Sequence, residues 1–319
     1  MDKPLQMEGS LSVDEQAALE VQELLAVPRK ATIRDYVNLA KPGILFSNLI
    51  AAFGGYWVGW GSSGETFSYL TLLFTMVGTA LVMASGCVLN NYLDRDMDTK
   101  MSRTQKRALP TGVVTPNQVL IYGIVLGVIG LTMLFFFANP LAALLGVVGL
   151  LVYVWIYTAW LKRTSTFSTS VGAISGAMPP VIGYCAVTQE LDAGAWILFG
   201  ILFLWQPPHF WALGMRRKEE YRAAGYPLLP VVYGDHITKI HMIRYLVMLV
   251  PVSLMLYLYG YVGEIYLLTA TVLGLIWVFL GFMGFKTKDD DTWAKRMFVY
   301  SINYLPILFI VMILDTVRV

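Results

Sequence analysis

YLTLLFTMVGTALVMASGCVL, residues 69–89, carries no charge and runs directly into NNYLDRDMD, residues 90–98, which carries three carboxylates. The first stretch is long enough to cross a bilayer as a helix, which takes about 20 mostly apolar residues. If that helix continues, Asn90, Asp94 and Asp98 fall at i, i+4 and i+8, with Asn91 three residues before Asp94. All four then share one face, and Asp96 points away from it. An aspartate well inside a membrane costs roughly 2.5–3.5 kcal/mol, so such groups are rare and usually functional. Two carboxylates one turn apart, beside amide oxygens, suit Mg²⁺, which takes one or two carboxylates plus the oxygens of a bound phosphate. On these residues alone, a solvated helix end with its charges among headgroups fits as well.

The rest of the chain repeats the apolar pattern. Of 319 residues, 57% are hydrophobic and 14% charged, and the mean hydropathy is +0.62; no ordinary soluble domain has this balance. The expected fold is all-α, a polytopic membrane protein. Nine spans are expected, at about 44–60, 69–89, 119–138, 141–160, 167–187, 195–214, 243–263, 265–284 and 298–315. An odd number puts the termini on opposite sides. Of the 23 Lys and Arg residues, 22 fall in the N-terminal segment and alternate loops, leaving only Arg318 on the other side. The positive-inside rule places the N-terminus and the charged loops in the cytoplasm and the C-terminus outside. The lipid bilayer is therefore a partner, and a net charge of +2 gives no reason to expect nucleic acid.

Residues 1–43 form the one long polar segment, expected to be a cytoplasmic tail ahead of a membrane domain over 44–319. It contains Asp2, Glu8, Asp14, Glu15, Glu20 and Glu23, which do not suit a transit peptide, and it has no apolar signal core. Ser12-Val13-Asp14-Glu15 reads as a capping box opening a short helix to about Leu25. Cys87 and Cys185 lie in apolar runs and read as packing residues. Acids accompany bases in the loops after the second and sixth spans, and the fourth and eighth spans end alike in basic residues. This suggests a duplicated four-helix unit with a ninth helix appended, and places the two acidic loops face to face. The spacings Gly55/Gly59, Gly123/Gly127 and Gly172/Gly176 allow close helix approach.

Beyond Asp98 the first loop supplies Lys100, Arg103, Lys106 and Arg107. Acids on one turn followed by clustered bases suit a phosphate-rich ligand, because Arg forks bind its oxygens in pairs; a transporter's salt-bridged gate reads the same way. The second loop runs from Pro207-Pro208-His209, where the prolines should break the sixth helix, through Arg216, Arg217, Lys218, Glu219 and Glu220. His209 is either a packing residue or a contact for an acceptor. Arg217 and Glu220, at i and i+3, either pair with each other or join the phosphate cluster. Lys41, Lys162 and Arg163 put positive charge at the same level. Tyr157, near Arg163, could steady a developing cation by its ring face or sit in an interfacial aromatic belt.

Asn90-x₃-Asp94-x₃-Asp98, trailed by Arg103 and Arg107, resembles the first signature of the UbiA-type intramembrane prenyltransferases. Tyr221-x₃-Gly225-x-Pro227-x₂-Pro230-Val231-Val232, with Pro208-His209 upstream, is similar to the haem-farnesylating branch of that family, as are Tyr157-Thr158…Leu161-Lys162-Arg163 and Gly176-Ala177-Met178-Pro179-Pro180…Gly183. The resemblance runs from about Lys41 to the last helix. It implies a UbiA-type bundle with farnesyl diphosphate and haem B as substrates, Mg²⁺ as cofactor, and haem A synthase as a candidate partner in a bacterial plasma membrane. It implies Asn90, Asn91, Asp94 and Asp98 at the metal, and Lys41, Arg103, Lys106, Arg107, Lys162, Arg163 and Arg217 on the diphosphate. The catalytic set becomes Asp94, Asp98, Arg103, Arg107, Tyr157 and Glu220, with His209 at the haem. The sequence departs from many relatives after the sixth span, where Arg217-Lys218-Glu219-Glu220 replaces a second Asp-x₃-Asp pair, and at Asn91, where many have Asp. Prenylation of an aromatic quinone precursor, secondary transport and haem binding without catalysis are the competing readings.

Overall fold

The computed structural model describes residues 29–318; the expected capping box at Ser12–Glu15 lies outside them. Among the described residues the regular elements are helices, with one isolated bridge between Val262 and Thr316. A short helix α1 (Ile33–Leu39) precedes α2 (Pro42–Ser63), α3 (Tyr69–Asp98) and α4 (Pro116–Phe137). Then come α5 (Pro140–Thr164), α6 (Ser168–Thr188) and α7 (Ala193–Arg216). Two short helices, α8 (Lys218–Ala223) and α9 (Leu229–Val232), lead to α10 (Gly234–Leu258), α11 (Glu264–Met283) and α12 (Asp290–Leu314). Eight of these are long and apolar enough to cross a membrane. The uncharged 22-residue α2, diluted by glycine, serine and Asn48, makes the ninth long helix.

The expected spans all correspond to helices, and the differences are at the charged ends. α3 continues through the acids to Asp98, so Asn90, Asp94 and Asp98 do stand on one helical face. α10 starts at Gly234 rather than 243, because Lys239 inside that polar first section is held by Asp290 (2.5 Å) and the Gly284 carbonyl (2.8 Å). α12 starts at Asp290, where the Asp289 carboxylate caps the Thr292 amide. Pro207 and Pro208 do not break α7, contrary to expectation. Both are buried between helices, and a packed membrane helix tolerates proline because its neighbours hold the freed backbone.

Consecutive long helices pack side by side in both halves, and α12 closes the ring against α2, α7 and α11. α2 crosses α6 at backbone contact: a Cβ on Gly55 would strike the Pro180 carbonyl, and one on Gly183 would strike that of Ala52. Lipid gives helices no hydrophobic reason to associate, so such small-residue contacts carry the packing. This crossing fixes α2 beside α6, and α2 in turn carries Lys41 to the end of α3.

Candidate active site

Each local turn at the charged end of α3 has a visible cause. Thr104 Oγ1 donates to the Asp98 carbonyl (2.8 Å), satisfying the helix end and bending the next residues back. Arg107 therefore returns to α3, donating to Asp98 Oδ2 (2.6 Å) and Asn91 Oδ1 (3.2 Å). Asn91 donates to the carbonyls of Leu39 (3.0 Å) and Cys87 (2.8 Å), fastening the end of α1 to α3. Lys41, between α1 and α2, takes the left-handed conformation (φ 55°), which a non-glycine residue adopts only at a cost. That turn delivers its ammonium to Asn90 Oδ1 at 2.8 Å. Burial pushes the Lys41 ammonium down to about 8, Arg107 and Lys162 adding to the drop while Cys87 and Asp94 oppose it.

The second wall comes from α5. Its residues Val152–Leu161 form a π-helix, a rare geometry that recurs at functional sites. Thr158, fully buried, donates its hydroxyl hydrogen to the Tyr153 carbonyl (2.8 Å) and accepts from Asn90 Nδ2 (3.2 Å). Asn90 Nδ2 also donates to Asp94 Oδ2 (2.9 Å). The amide is thus locked, nitrogen toward Thr158 and Asp94, oxygen toward Lys41. One turn on, Lys162 ion-pairs with Asp94, and Arg163 lies 3.8 Å from the same carboxylate. Tyr157 stacks on Tyr153 (5.8 Å between ring centres), lies against Gly172, and has the Lys162 ammonium 6.0 Å from its ring centre.

The third wall is the loop between α8 and α9. Tyr226 donates to Asp94 Oδ1 (3.3 Å), and Lys162 lies over its ring at 5.0 Å. Burial pushes the Tyr226 phenol up; Lys162 opposes and Asp94 adds to the shift, so the hydroxyl stays a donor. Tyr226 and Ala224 pack on Met101, so the two charged loops meet as expected. Asn90, Asn91, Asp94 and Asp98 are all between 1% and 5% exposed, and four cations surround two carboxylates. This excess of positive charge suits a multiply charged anion, and the carboxylates with the Asn90 oxygen are hard donors suited to Mg²⁺.

The family model for the UbiA prenyltransferase family matches residues 48–302. The chain belongs to the UbiA prenyltransferase family. It is a multi-pass membrane prenyltransferase. "Protoheme IX farnesyltransferase 1" of Bacillus subtilis (strain 168) is 52% identical over 307 residues, covering 94% of this chain and 96% of that one. "Protoheme IX farnesyltransferase" of Alkalihalophilus pseudofirmus is 50% identical, covering 88% and 89%. The UbiA fold extends to solved structures of low identity. A structure described as digeranylgeranylglyceryl phosphate synthase matches with TM-score 0.73 at 19% identity, over 89% of this chain and 98% of that one. A UbiA homolog from Archaeoglobus fulgidus, described as bound to GPP and Mg²⁺, matches with TM-score 0.61 at 15% identity, over 87% and 99%.

Not every residue expected at the UbiA site reaches it. Arg103 and Lys106 make no ion pair with Asp94 or Asp98; they line a cavity of 340 Å³ with Arg29 and Asp35, to which Asn91 and Arg107 also contribute. Arg217 pairs with Glu220 (3.2 Å), both about one-third exposed, and neither contacts Asp94 or Asp98. His209, expected at the haem, lies elsewhere on α7. Its ring is stacked between Trp205 (4.6 Å) and Phe298 (4.8 Å), with Nδ1 on Ser301 Oγ (2.7 Å), which fixes it against α12. Thr158 and Tyr226, which touch Asn90 and Asp94, are not among the expected site residues. Thr158 stands in the Tyr157-Thr158…Lys162-Arg163 motif and Tyr226 beside Gly225, but a π register and a long-range contact are not written in local spacing.

Proposed function

We propose that this chain transfers a farnesyl group from farnesyl diphosphate to one carbon of a haem B vinyl group while water gives its hydroxyl to the other, yielding haem O, diphosphate and a proton. The observation that carries the reading is 45–52% identity across 88–94% of the chain to relatives named protoheme IX farnesyltransferase. The buried acid row ringed by bases supports a prenyl diphosphate as the donor. The charge asymmetry of the loops supports a bacterial plasma membrane setting, with the site and N-terminus cytoplasmic and the C-terminus outside.

Asp94, Asp98 and the Asn90 oxygen would hold Mg²⁺, with Asn91 supporting the row from its edge. A bound Mg²⁺ supplies Lewis-acid stabilisation of the charge that develops on diphosphate as the allylic C–O bond breaks. Lys41, Arg107, Lys162 and Arg163, which occupy the same oxygens here, turn to the phosphate oxygens and stabilise that charge from fixed positions. Tyr157 and Tyr226 give the allylic cation ring faces beside Lys162. Arg103 and Lys106 draw the anion toward the site from the neighbouring cavity. Haem B is a substrate, taken with farnesyl diphosphate from the membrane side, and haem A synthase is the candidate recipient of the product. Residues 44–319 act as one catalytic domain behind the 1–43 tail.

The test is incubation of the purified chain with haem B, farnesyl diphosphate and Mg²⁺, with mass analysis of the porphyrin. The expected product has gained one farnesyl and one hydroxyl group. Unchanged haem B alongside prenylated 4-hydroxybenzoate would move the acceptor to a quinone precursor.

A further inference from the structure

A groove of 560 Å³ lies between α11 and the first half of α12, and none of its residues belongs to the acidic site. Leu280 of α11 forms one side; Thr292, Lys295, Arg296, Val299 and Asn303 form the other. The α12 residues recur at helical spacing, so they form one stripe that descends from the charged end of the helix. At about 1.5 Å per residue, Asn303 lies roughly 12 Å deeper than Lys295.

The acids near the top of the stripe are engaged elsewhere. Asp290 pairs with Lys239 (2.5 Å), Asp291 lies 3.6 Å from Arg216, and Asp289 caps the Thr292 amide. Lys295 and Arg296 are exposed and make no ion pair among the described residues. Below them the groove opens on an apolar belt in which Phe279, Phe282, Val299 and Ile302 are each about half exposed or more. In a membrane protein that belt faces acyl chains, so the occupant arrives from the bilayer. It needs an anionic head at the level of Lys295 and Arg296 and an apolar body beneath. Basic pockets between membrane helices on the positively charged side have this character.

We propose that the α11–α12 groove is a binding site for an anionic phospholipid, its headgroup phosphate on Lys295 and Arg296 and an acyl chain along Leu280 and Val299. The site stands independently of the prenyl-transfer reading.

The test uses the full chain in phosphatidylcholine nanodiscs titrated with phosphatidylglycerol, bound lipid being read by native mass spectrometry. Each basic residue near an anionic headgroup contributes about fivefold, so Lys295→Gln/Arg296→Gln should weaken phosphatidylglycerol retention about 25-fold and each single variant about fivefold. Lys286→Gln/Lys288→Gln, in the neighbouring loop, should change it less than twofold. A monodisperse size-exclusion profile for each variant separates lost binding from lost fold, and the single variants stand in if the double variant fails to fold. Equal loss in the loop control would reduce the effect to general surface attraction and overturn the proposal. Unchanged retention in the Lys295/Arg296 variants would overturn it too. Displacement of the lipid by millimolar inorganic phosphate would reassign the groove to a soluble anion, and loss of retention on forming dimers would reassign it to a second copy.

Discussion

The ends of α3 and α7 both lead into loops that mix acids with bases, and the two loops meet at Met101 and Tyr226. They are built on different physics. On α3, Asp94 and Asp98 are buried and meet cations from other elements: Lys162 and Arg163 on α5, Arg107 across the returning loop. After α7, Glu219 is open to solvent and Glu220 about one-third exposed, and they meet cations three residues away on the same turn, Arg222 and Arg217. Long-range partners hold a charge that the fold has taken out of water, and this is costly unless it serves something. Local partners only tidy a surface.

If that contrast is right, damage should fall steeply from the first loop to the second. The largest effect belongs to the carboxylates. Asp94→Asn and Asp98→Asn should each lower kcat/KM for farnesyl diphosphate by about 10³-fold, at the upper end for losing one preorganised electrostatic group. Asn keeps the shape and one acceptor oxygen, so membrane insertion and a monodisperse detergent profile should survive. Turnover near the wild-type value in both variants would remove the distinction between the two helix ends. Next comes the cation that crosses from α5. Lys162→Gln should cost about 10²-fold, mostly in KM for the diphosphate substrate, because the ammonium that now holds Asp94 is free to turn to phosphate.

Thr158 sharpens the comparison from outside the charged set. Thr158→Val removes one of the two acceptors of Asn90 Nδ2 and loosens the amide, which Asp94 and Lys41 still hold. Partners that orient ligands are typically worth 10–100-fold in affinity or activity, so a loss of about tenfold with a raised Mg²⁺ requirement is expected. Thr158→Ser keeps the hydroxyl and should restore both. A valine effect that serine does not rescue would make Thr158 a packing residue only.

The two loops also differ in how much of them could be read from the chain. Periodicity alone gives the acid face, because Asn90, Asp94 and Asp98 stand on a helix that simply continues, and the helix count follows from apolar length. What pairs with that face is a matter of tertiary geometry. Arg103 and Arg107 are both arginines four residues apart in a basic run and line one cavity, yet the Thr104 turn lets only Arg107 reach Asp98. His209 sits beside a proline pair in a motif suggestive of chemistry, but its stacking partner Phe298 comes from α12, far away in sequence. Pro207 and Pro208 read as helix breakers because local propensity cannot register that both are clamped between neighbouring helices. Lys41 and Tyr226 reach the site through left-handed turns at Lys41 itself and at Gly225; of the two, only the glycine signals such a turn.

The smallest effect is the most exacting test of the contrast. Arg217 reaches both Glu220 oxygens, at 3.2 and 3.4 Å, with each side chain about one-third exposed. Exposed pairs of this spacing are worth roughly 0.2–1 kcal/mol before salt screening. Glu220→Gln, Arg217→Gln and the double variant should therefore stay within about twofold of wild-type kcat/KM, and their double-mutant cycle should give a coupling near zero. The resemblance to relatives with an acidic second loop implies the opposite, a Glu220 that helps hold the diphosphate. The loop containing it already touches Asp94 through Tyr226, so a modest closure on substrate would bring the carboxylate inward. A tenfold loss in Glu220→Gln with a changed Mg²⁺ dependence would mean that the second loop is a moving half of the site, and that its exposure describes only the state before substrate arrives.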